Sequence, residues 1–418
     1  MYKRLTVTLI TFFILTACGK SSSQPTPPPV TQVTPPDTTT IVSTAKPVAK
    51  TNSQKVYVHY MPWFETPQTS DNGTWGQHWT MATQNPDIIQ SNGQRQIASY
   101  FYPLIGPYAS SDRDVIDYRL LLMKYSGIDG VIVDWYGVHN VNDYPLNKRN
   151  TDSLFNRIPA TGLQFAICYE DTQLAQVKAK AGIDTVTAAK EDFAYLQSAY
   201  FRSKSYVAIN KRPLLLCFGP QGMNTPADWQ QAFIGLNTQP LFLPLQDHAK
   251  LAGNLANGEF VWVQSNNIAN LTNFYSSHSP SSIYFAGAYP GFKDFYKPGG
   301  WGNTLFVIDH NGTAALQASL NAAKTSGTNY LQLITWNDYG EGTMFEPTTE
   351  FNFTLLQTIQ RYTGVTYTDA ELKLIYKWYT LRKKYKTDAA ITKQLTNAYN
   401  YLVALNVADA KVIIDNLN

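Results

Sequence analysis

Cysteine is scarce, with three residues in a chain of 418, at positions 18, 168 and 217. None stands with histidine at zinc-ligand spacing, so the sequence offers no metal site and asks for no cofactor. An excess of one charge is also missing. Lys and Arg number 33 against 30 Asp and Glu, a net +3, which makes no electrostatic case for nucleic acid. Past the first twenty residues no apolar run reaches the length of a membrane-spanning helix. A doubly wound sheet usually carries a glycine-rich phosphate loop after its first strand, and none follows Tyr60. What remains is a large folding region with no signature of metal, nucleotide or nucleic acid.

The ends differ from the middle. Lys3 and Arg4 precede an apolar run from Leu5 to Thr16, and Leu15-Thr16-Ala17 leads directly into Cys18. Basic start, short apolar core and small residues make a secretory signal. With a cysteine at the cleavage point the layout resembles a bacterial lipoprotein signal, which implies lipidation of Cys18. The alternative is an ordinary signal peptide followed by a chance cysteine. The lipoprotein reading places the chain in the bacterial cell envelope, at the outer membrane, on its periplasmic side or at the cell surface. It makes the membrane a partner through the anchor and leaves room for other uptake proteins of the envelope. Residues from Ser21 to about Lys50 are rich in Ser, Pro and Thr without a hydrophobic period, the composition of a flexible tether. The expected division is 1–17 signal, 18–54 tether, 55–364 a barrel, and 365–418 a helical region. Cys168 and Cys217 lie inside apolar strand candidates and are expected as buried thiols, with a disulfide left open for an exported chain.

From Lys55 onward, β-rich apolar runs alternate with helical patterns. The runs are Val56–Pro62, Gly130–Trp135, Gln164–Tyr169, Pro213–Phe218, Leu241–Leu245, Phe260–Val263, Ile283–Ala288 and Leu331–Trp336. Several lack polar alternation, as strands buried on both faces do. One helix is expected from near Asp112 to a glycine stop at Gly127, and others over Asp184–Tyr200, Pro226–Leu236, Ala249–Ala256, Ile268–Tyr275 and Gly312–Ser326. Strand and helix alternating about eight times is the pattern of an α/β fold of the (β/α)8, or TIM, barrel type. A doubly wound sheet is the runner-up. Three further helices, Ala370–Tyr385, Asp388–Leu402 and Val407–Leu417, make a small C-terminal appendage.

A barrel of this type carries its chemistry where strands end and βα loops begin. That rule selects His59, Tyr60 and Trp63 after strand one, Asp134, Trp135 and Tyr136 after strand two, and Glu170 after strand three. It also selects Tyr289 after strand seven, then Trp336, Asn337, Asp338 and Glu341 after strand eight. Two carboxyl groups beside one glycosidic bond are what hydrolysis needs, one protonated to release the leaving oxygen and one ionised. Asp338 and Glu341 are three apart, and glycines flank Glu341. Equally, Asn-Asp-Tyr-Gly is good turn chemistry in any protein. Glu170 and Asp134 read either as sugar-binding carboxylates or as structural ones. His59 reads as a core histidine or a rim residue, and the aromatics as stacking platforms or core. Trp75, His78 and Trp79 fall in the long loop after strand one, a candidate binding wall. The 13% aromatic content suits sugar faces but is mostly core.

These segments carry a family resemblance. Trp336-Asn337-Asp338-Tyr339-Gly340-Glu341 resembles the catalytic segment of glycoside hydrolase family 71, the α-1,3-glucanases. Read on through Gly342 and Thr343, it is similar to that of family 99, the endo-α-mannosidases and endo-α-mannanases. His59-Tyr60-Met61-Pro62-Trp63-Phe64, the run Tyr100 to Tyr108, and Gly130 to Gly137 resemble the first strand, early loop and second strand of family 99. The resemblance spans roughly Lys55 to Gly364. It implies Glu341 as general acid and Asp338 as base. Family 99 has Glu at the base position and is described as retaining through an anhydro-sugar, whereas family 71 has Asp and is described as inverting. The expected function is therefore hydrolysis of an α-linked polysaccharide or glycan, of α-mannan or α-1,3-glucan type, by an endo-acting glycosidase. The alternatives are a non-catalytic glycan-binding lipoprotein on the same barrel and, more distantly, a transferase.

Overall fold

The computed structural model describes residues 43–279 and 282–417, all within one compact unit, Thr40–Asn418. The signal, Cys18 and most of the tether lie outside the described residues. Eight parallel strands form the centre: β1 (Lys55–Tyr60), β2 (Gly130–Trp135), β3 (Gln164–Tyr169), β4 (Arg212–Cys217), β5 (Leu241–Pro244), β6 (Gly258–Phe260), β7 (Ile283–Ala288) and β8 (Tyr330–Leu333). They pair in the order β5-β4-β3-β2-β1-β8-β7-β6. Parallel bridges Phe242–Ala256 and Leu245–Phe260 join β5 to β6, with the Gln246 N–H donating to the Phe260 carbonyl at 2.9 Å. The sheet therefore closes on itself into a (β/α)8 barrel. Its strands are buried on both faces, which is why their sequences are apolar without alternation.

The outer helices follow from local signals. Helix α1 (Arg113–Tyr125) starts where the Asp112 carboxylate accepts the N–H groups of Asp114 and Val115, the usual satisfaction of a helix's first free donors. Its end is fixed by Gly127 at φ +74°, where a Cβ would meet the Thr363 hydroxyl oxygen at 2.5 Å, so only glycine fits. Helices α2 (Tyr144–Phe155), α3 (Thr185–Ala199), α4 (Pro226–Ala232), α5 (Ile268–Ser276), α6 (Ala314–Thr325) and α7 (Thr354–Thr363) continue the ring. Asp184 caps α3 as Asp112 caps α1. Three more helices follow, α8 (Asp369–Lys384), α9 (Ala389–Val403) and α10 (Val407–Asp415).

Packing revises one boundary. The tether was expected to run to residue 54, but among the described residues the chain is already fastened from Lys46. The Lys46 N–H donates to Val403 O at 3.1 Å, Thr51 N–H to Gly364 O at 3.3 Å and Asn52 N–H to Thr363 O at 3.1 Å. These exposed-looking polar residues are held by backbone bonds that composition does not reveal. The C-terminal helices pack on the barrel as the expected appendage. Arg382 and Lys383 of α8 pair with Asp114 and Asp112 at 2.9 and 2.6 Å, and Tyr379 packs on Tyr118 with centroids 4.9 Å apart. Cys168 and Cys217 are buried and free, so no disulfide joins them.

Candidate active site

Side chains alternate along a strand, and that alternation sorts the expected site residues. At the end of β1, His59 points into the barrel and Tyr60 outward. At the end of β2, Asp134 points in and Trp135 out. A cavity of about 240 Å³ opens at this end of the barrel, lined among others by His59, Trp63, Asp134, Tyr136, Glu170, Asp338 and Glu341. Seven of the twelve expected catalytic and sugar-binding residues thus share one cavity.

The other five do not reach it, and each has a physical reason. Tyr60 faces the helix layer, where its hydroxyl accepts from Arg119 Nη1 at 2.6 Å. Trp135 is fully buried and stacks near Tyr195 of α3. Tyr289 is buried, its hydroxyl donating to Asn267 Oδ1 at 2.9 Å. Trp336 is buried, its backbone N–H donating to His59 O at 2.6 Å. Asn337 grips the end of β1 from both sides, accepting from Met61 N and donating to Met61 O, each at 2.9 Å. Their expected role as sugar contacts is withdrawn; they build the wall instead. Trp79, an expected wall residue, is also core, donating to Tyr108 O at 2.8 Å.

The ladder of β8 ends at Leu333 rather than at Trp336, and the chain then turns as a loop. The Asp338 N–H donates to Thr335 Oγ1 at 2.8 Å, and the Glu341 N–H to Asp338 Oδ1 at 2.9 Å. The two carboxyl-bearing residues are therefore locked to each other by a short turn. Gly342 sits at φ +68°, where a Cβ would meet Phe101 at 2.8 Å and Lys293 O at 2.9 Å. The loop after β7 holds the other side, Lys293 N–H donating to Glu341 O at 2.8 Å and Phe295 N–H to Gly340 O at 2.7 Å.

Electrostatics separate the carboxyl groups. Burial, then the charge of Asp338, pushes the Glu341 pKa up to about 8, against the opposing pull of the Tyr296 hydroxyl, which donates to Oε1 at 2.9 Å. Asp338 is raised by burial to about 6, less far because the Glu341 N–H stabilises its anion. Burial and Asp171 raise Glu170 to about 7, and burial followed by Glu170 raises Asp134 well above the usual range. Burial lowers His59 to about 3, so it is neutral, with its ring edge-on to Trp262 at 4.8 Å. One carboxyl group protonated near neutrality beside another more readily ionised is the arrangement that acid–base cleavage requires.

Sequence reasoning missed Tyr296 and Trp301, which line the cavity from the loop after β7, and Trp262 and Gln173. The signal existed: residues 289–313 form a long loop at the same rim, and the long-loop rule that selected His78 after β1 applies equally there. His78 does line the cavity, stacked flat on Trp63 with centroids 4.1 Å apart.

Comparison with known proteins adds the family. The model for Glycosyl hydrolase family 99 matches residues 51–380. Glycoprotein endo-alpha-1,2-mannosidase-like protein of Mus musculus is 24% identical over 334 residues, covering 70% of this chain and 69% of its own length. Glycoprotein endo-alpha-1,2-mannosidase of Xenopus laevis is 28% identical over 98 residues, 22% of either chain. Among solved structures, the GH99 endo-alpha-mannosidase from Bacteroides thetaiotaomicron superposes with TM-score 0.58 at 17% identity, over 78% of this chain and 99% of that one. Its complex with BIS-TRIS-propane superposes with the same TM-score at 18% identity, over 77% and 98%. The structural likeness carries the barrel, and the family match runs from the strap before β1 into α8. Of the two families that the segment after β8 resembles, it is therefore glycosyl hydrolase family 99 to which this chain belongs, as a glycoside hydrolase.

Proposed function

We propose that the chain cleaves internal α-mannosidic bonds of a glycan, with Glu341 as general acid and Asp338 as base. The observation that carries this reading is the pair itself: two carboxyl groups in one cavity, their residues tied by the Glu341 backbone N–H donating to the Asp338 carboxylate at 2.9 Å, with Glu341 raised to about 8. A protonated Glu341 gives its proton to the leaving oxygen as the bond lengthens. Ionised Asp338 takes a proton from the attacking group or stabilises positive charge on the sugar ring. Asp134 and Glu170, at the ends of β2 and β3, bind sugar hydroxyls. The α-mannoside assignment is supported by the names of the relatives, and endo action by the cavity's continuation into an open groove lined by Trp75, Tyr144 and Trp301. Lipidation at Cys18 in a bacterial envelope belongs to the same proposal and rests on the Leu15–Cys18 motif.

The test is reducing-sugar release from α-mannan, with α-1,3-glucan as comparator. Wild-type chain is expected to release sugar from mannan, and Glu341→Gln to lose at least about 100-fold in kcat, the usual worth of a general acid. Unchanged release by Glu341→Gln rejects the acid assignment. Tight binding of mannan with no release by the wild type converts the reading into that of a glycan-binding protein.

A further inference from the structure

At the end of the barrel opposite the carboxyl-lined cavity, where β1, β2 and β3 begin, lies a second hollow of about 360 Å³. Its wall includes four lysines, Lys50, Lys55, Lys124 and Lys204, and a single carboxylate, Asp129. Lys50 and Lys55 share that carboxylate, Lys55 at 3.2 Å, and the Val56 N–H occupies it as well at 2.8 Å. Asp129 thus already serves three donors, and neither Lys124 nor Lys204 pairs with it.

Lys124 is the informative group. It is 2% exposed, and its ammonium donates to Thr161 O at 2.9 Å and to Lys46 O. An ammonium has three donors, so one remains, and neither partner carries charge. Lys204 is exposed and makes no ion pair among the described residues. Holding a cation out of water without an anionic partner is costly, and three more lysines line the same hollow. Burial correspondingly lowers Lys124 to about 8. The hollow is wide enough for a tetrahedral oxyanion and stays open to solvent. The chain enters the domain along its edge, at Pro47–Lys50.

We propose that this lysine pocket binds a phosphate-class anion, with Lys124 at its floor and Lys55 and Lys204 at its mouth. Inorganic phosphate and a phosphorylated lipid headgroup present the same oxygens, and a site at the edge where the N-terminal segment arrives is open to either.

The experiment uses the full chain with Cys18→Ser, so that no acyl group contributes. Inorganic phosphate is titrated by calorimetry and by thermal unfolding in non-phosphate buffer, against sodium chloride at matched ionic strength. Phosphate is expected to bind and to raise Tm by roughly 2–5 °C beyond chloride. In the double variant Lys55→Gln/Lys204→Gln, whose side chains are exposed and whose loss leaves the core intact, affinity is expected to fall at least about tenfold. A second arm sediments the same proteins with phosphatidylglycerol vesicles, and with phosphatidylcholine vesicles as control. Binding to phosphatidylglycerol that weakens in the double variant assigns the headgroup as source, and binding of inorganic phosphate alone assigns a soluble anion. A phosphate response no larger than that of chloride, or one the double variant leaves unchanged, overturns the site.

Discussion

Burial and a neighbouring carboxylate act on Glu341 in the same direction. Both penalise its anion, while the Tyr296 hydroxyl works against them. Asp338 is less raised, to about 6. The pair titrates as a unit, so the observable quantities are the two limbs of a pH–rate profile. Below about 6 the base is protonated and lost; above about 8 the acid is ionised and lost. The profile of kcat/KM is therefore expected to be a bell centred near pH 7. His59, neutral because burial holds it near 3, adds no limb of its own. Tyr296 supplies the sharper test. Its hydroxyl stabilises the Glu341 carboxylate, so Tyr296→Phe removes that stabilisation and Glu341 should hold its proton to higher pH. The alkaline limb should move upward by about half a unit to one unit, since one such unit is about 1.4 kcal/mol and a hydrogen bond to a charged group is worth about that or more. A limb that moves downward would mean that Tyr296 does not act on Glu341 as a donor.

The element that matters most is the loop from Ile334 to the start of α7, because it carries both carboxyl groups and is pinned at two places. Asn337 ties it to the end of β1. Farther on, Glu346 enters a fully buried clamp. Arg119 of α1 meets it with two bonds, at 2.6 and 3.0 Å. The hydroxyls of Tyr108 and Tyr339 donate to the same carboxylate at 2.8 and 3.0 Å. A buried fork of this kind is costly to break, because the abandoned carboxylate stays desolvated. Arg119→Met should therefore lose about 3–5 kcal/mol of stability. Arg119→Met/Glu346→Leu, which removes both charges, should regain much of that while kcat stays depressed and KM changes less. Melting curves and steady-state kinetics on the same samples check it. A double variant that recovers stability and kcat together would show that the clamp only holds the fold. This clamp also marks the limit of what the sequence makes legible. Strands buried on both faces announce themselves by unbroken apolar runs, so seven of the eight are readable in place, and with them the barrel; β6, the half-buried Gly258–Phe260, meets its expected run Phe260–Val263 only at Phe260. Helix α2 is not readable, because the residues it buries include Asn147, Asn150 and Thr151, which leave no apolar period. The same holds at the site. Rim position and local motif pick out Asp338 and Glu341. Whether a rim aromatic faces the cavity or the helices depends on a one-residue alternation, which puts Asp134 inside and Trp135 outside.

On the scale of the whole molecule the charge is divided, although the net value is only +3. The cavity holds Asp134, Glu170, Asp338 and Glu341, and the groove that continues it adds Glu65, Asp71 and Asp143. Among the described residues neither is lined by a lysine or arginine. Arg149 reaches Glu65 and Asp71, at 3.6 and 3.1 Å, without lining either space. Even with some of these carboxyl groups protonated, an anionic sugar entering the mouth meets more carboxylates than the one nearby cation, Arg149, offsets. At a separation of about 4 Å and a surface-like dielectric, one such pair repels by about 4 kcal/mol, and a factor of ten needs only about 1.4 kcal/mol. Phosphorylated or uronic-acid-bearing glycans should therefore have kcat/KM at least about tenfold below their neutral counterparts at low salt. Because part of the groove is solvent-exposed, the gap should narrow as ionic strength rises from about 0.01 to 1 M and screening shortens the reach of these charges from about 30 to about 3 Å. Asp71→Asn, at a side chain with 74% of its surface exposed, should narrow it further without touching the inner cavity. The measurement is the ratio of kcat/KM for a neutral and a phosphate-bearing α-mannan oligosaccharide of equal length, taken across that range of salt. A ratio near one at low salt rejects electrostatic selection by the mouth while leaving the hydrolase itself in place. A large ratio that salt does not move would trace the discrimination to the shape of the inner cavity and not to its field.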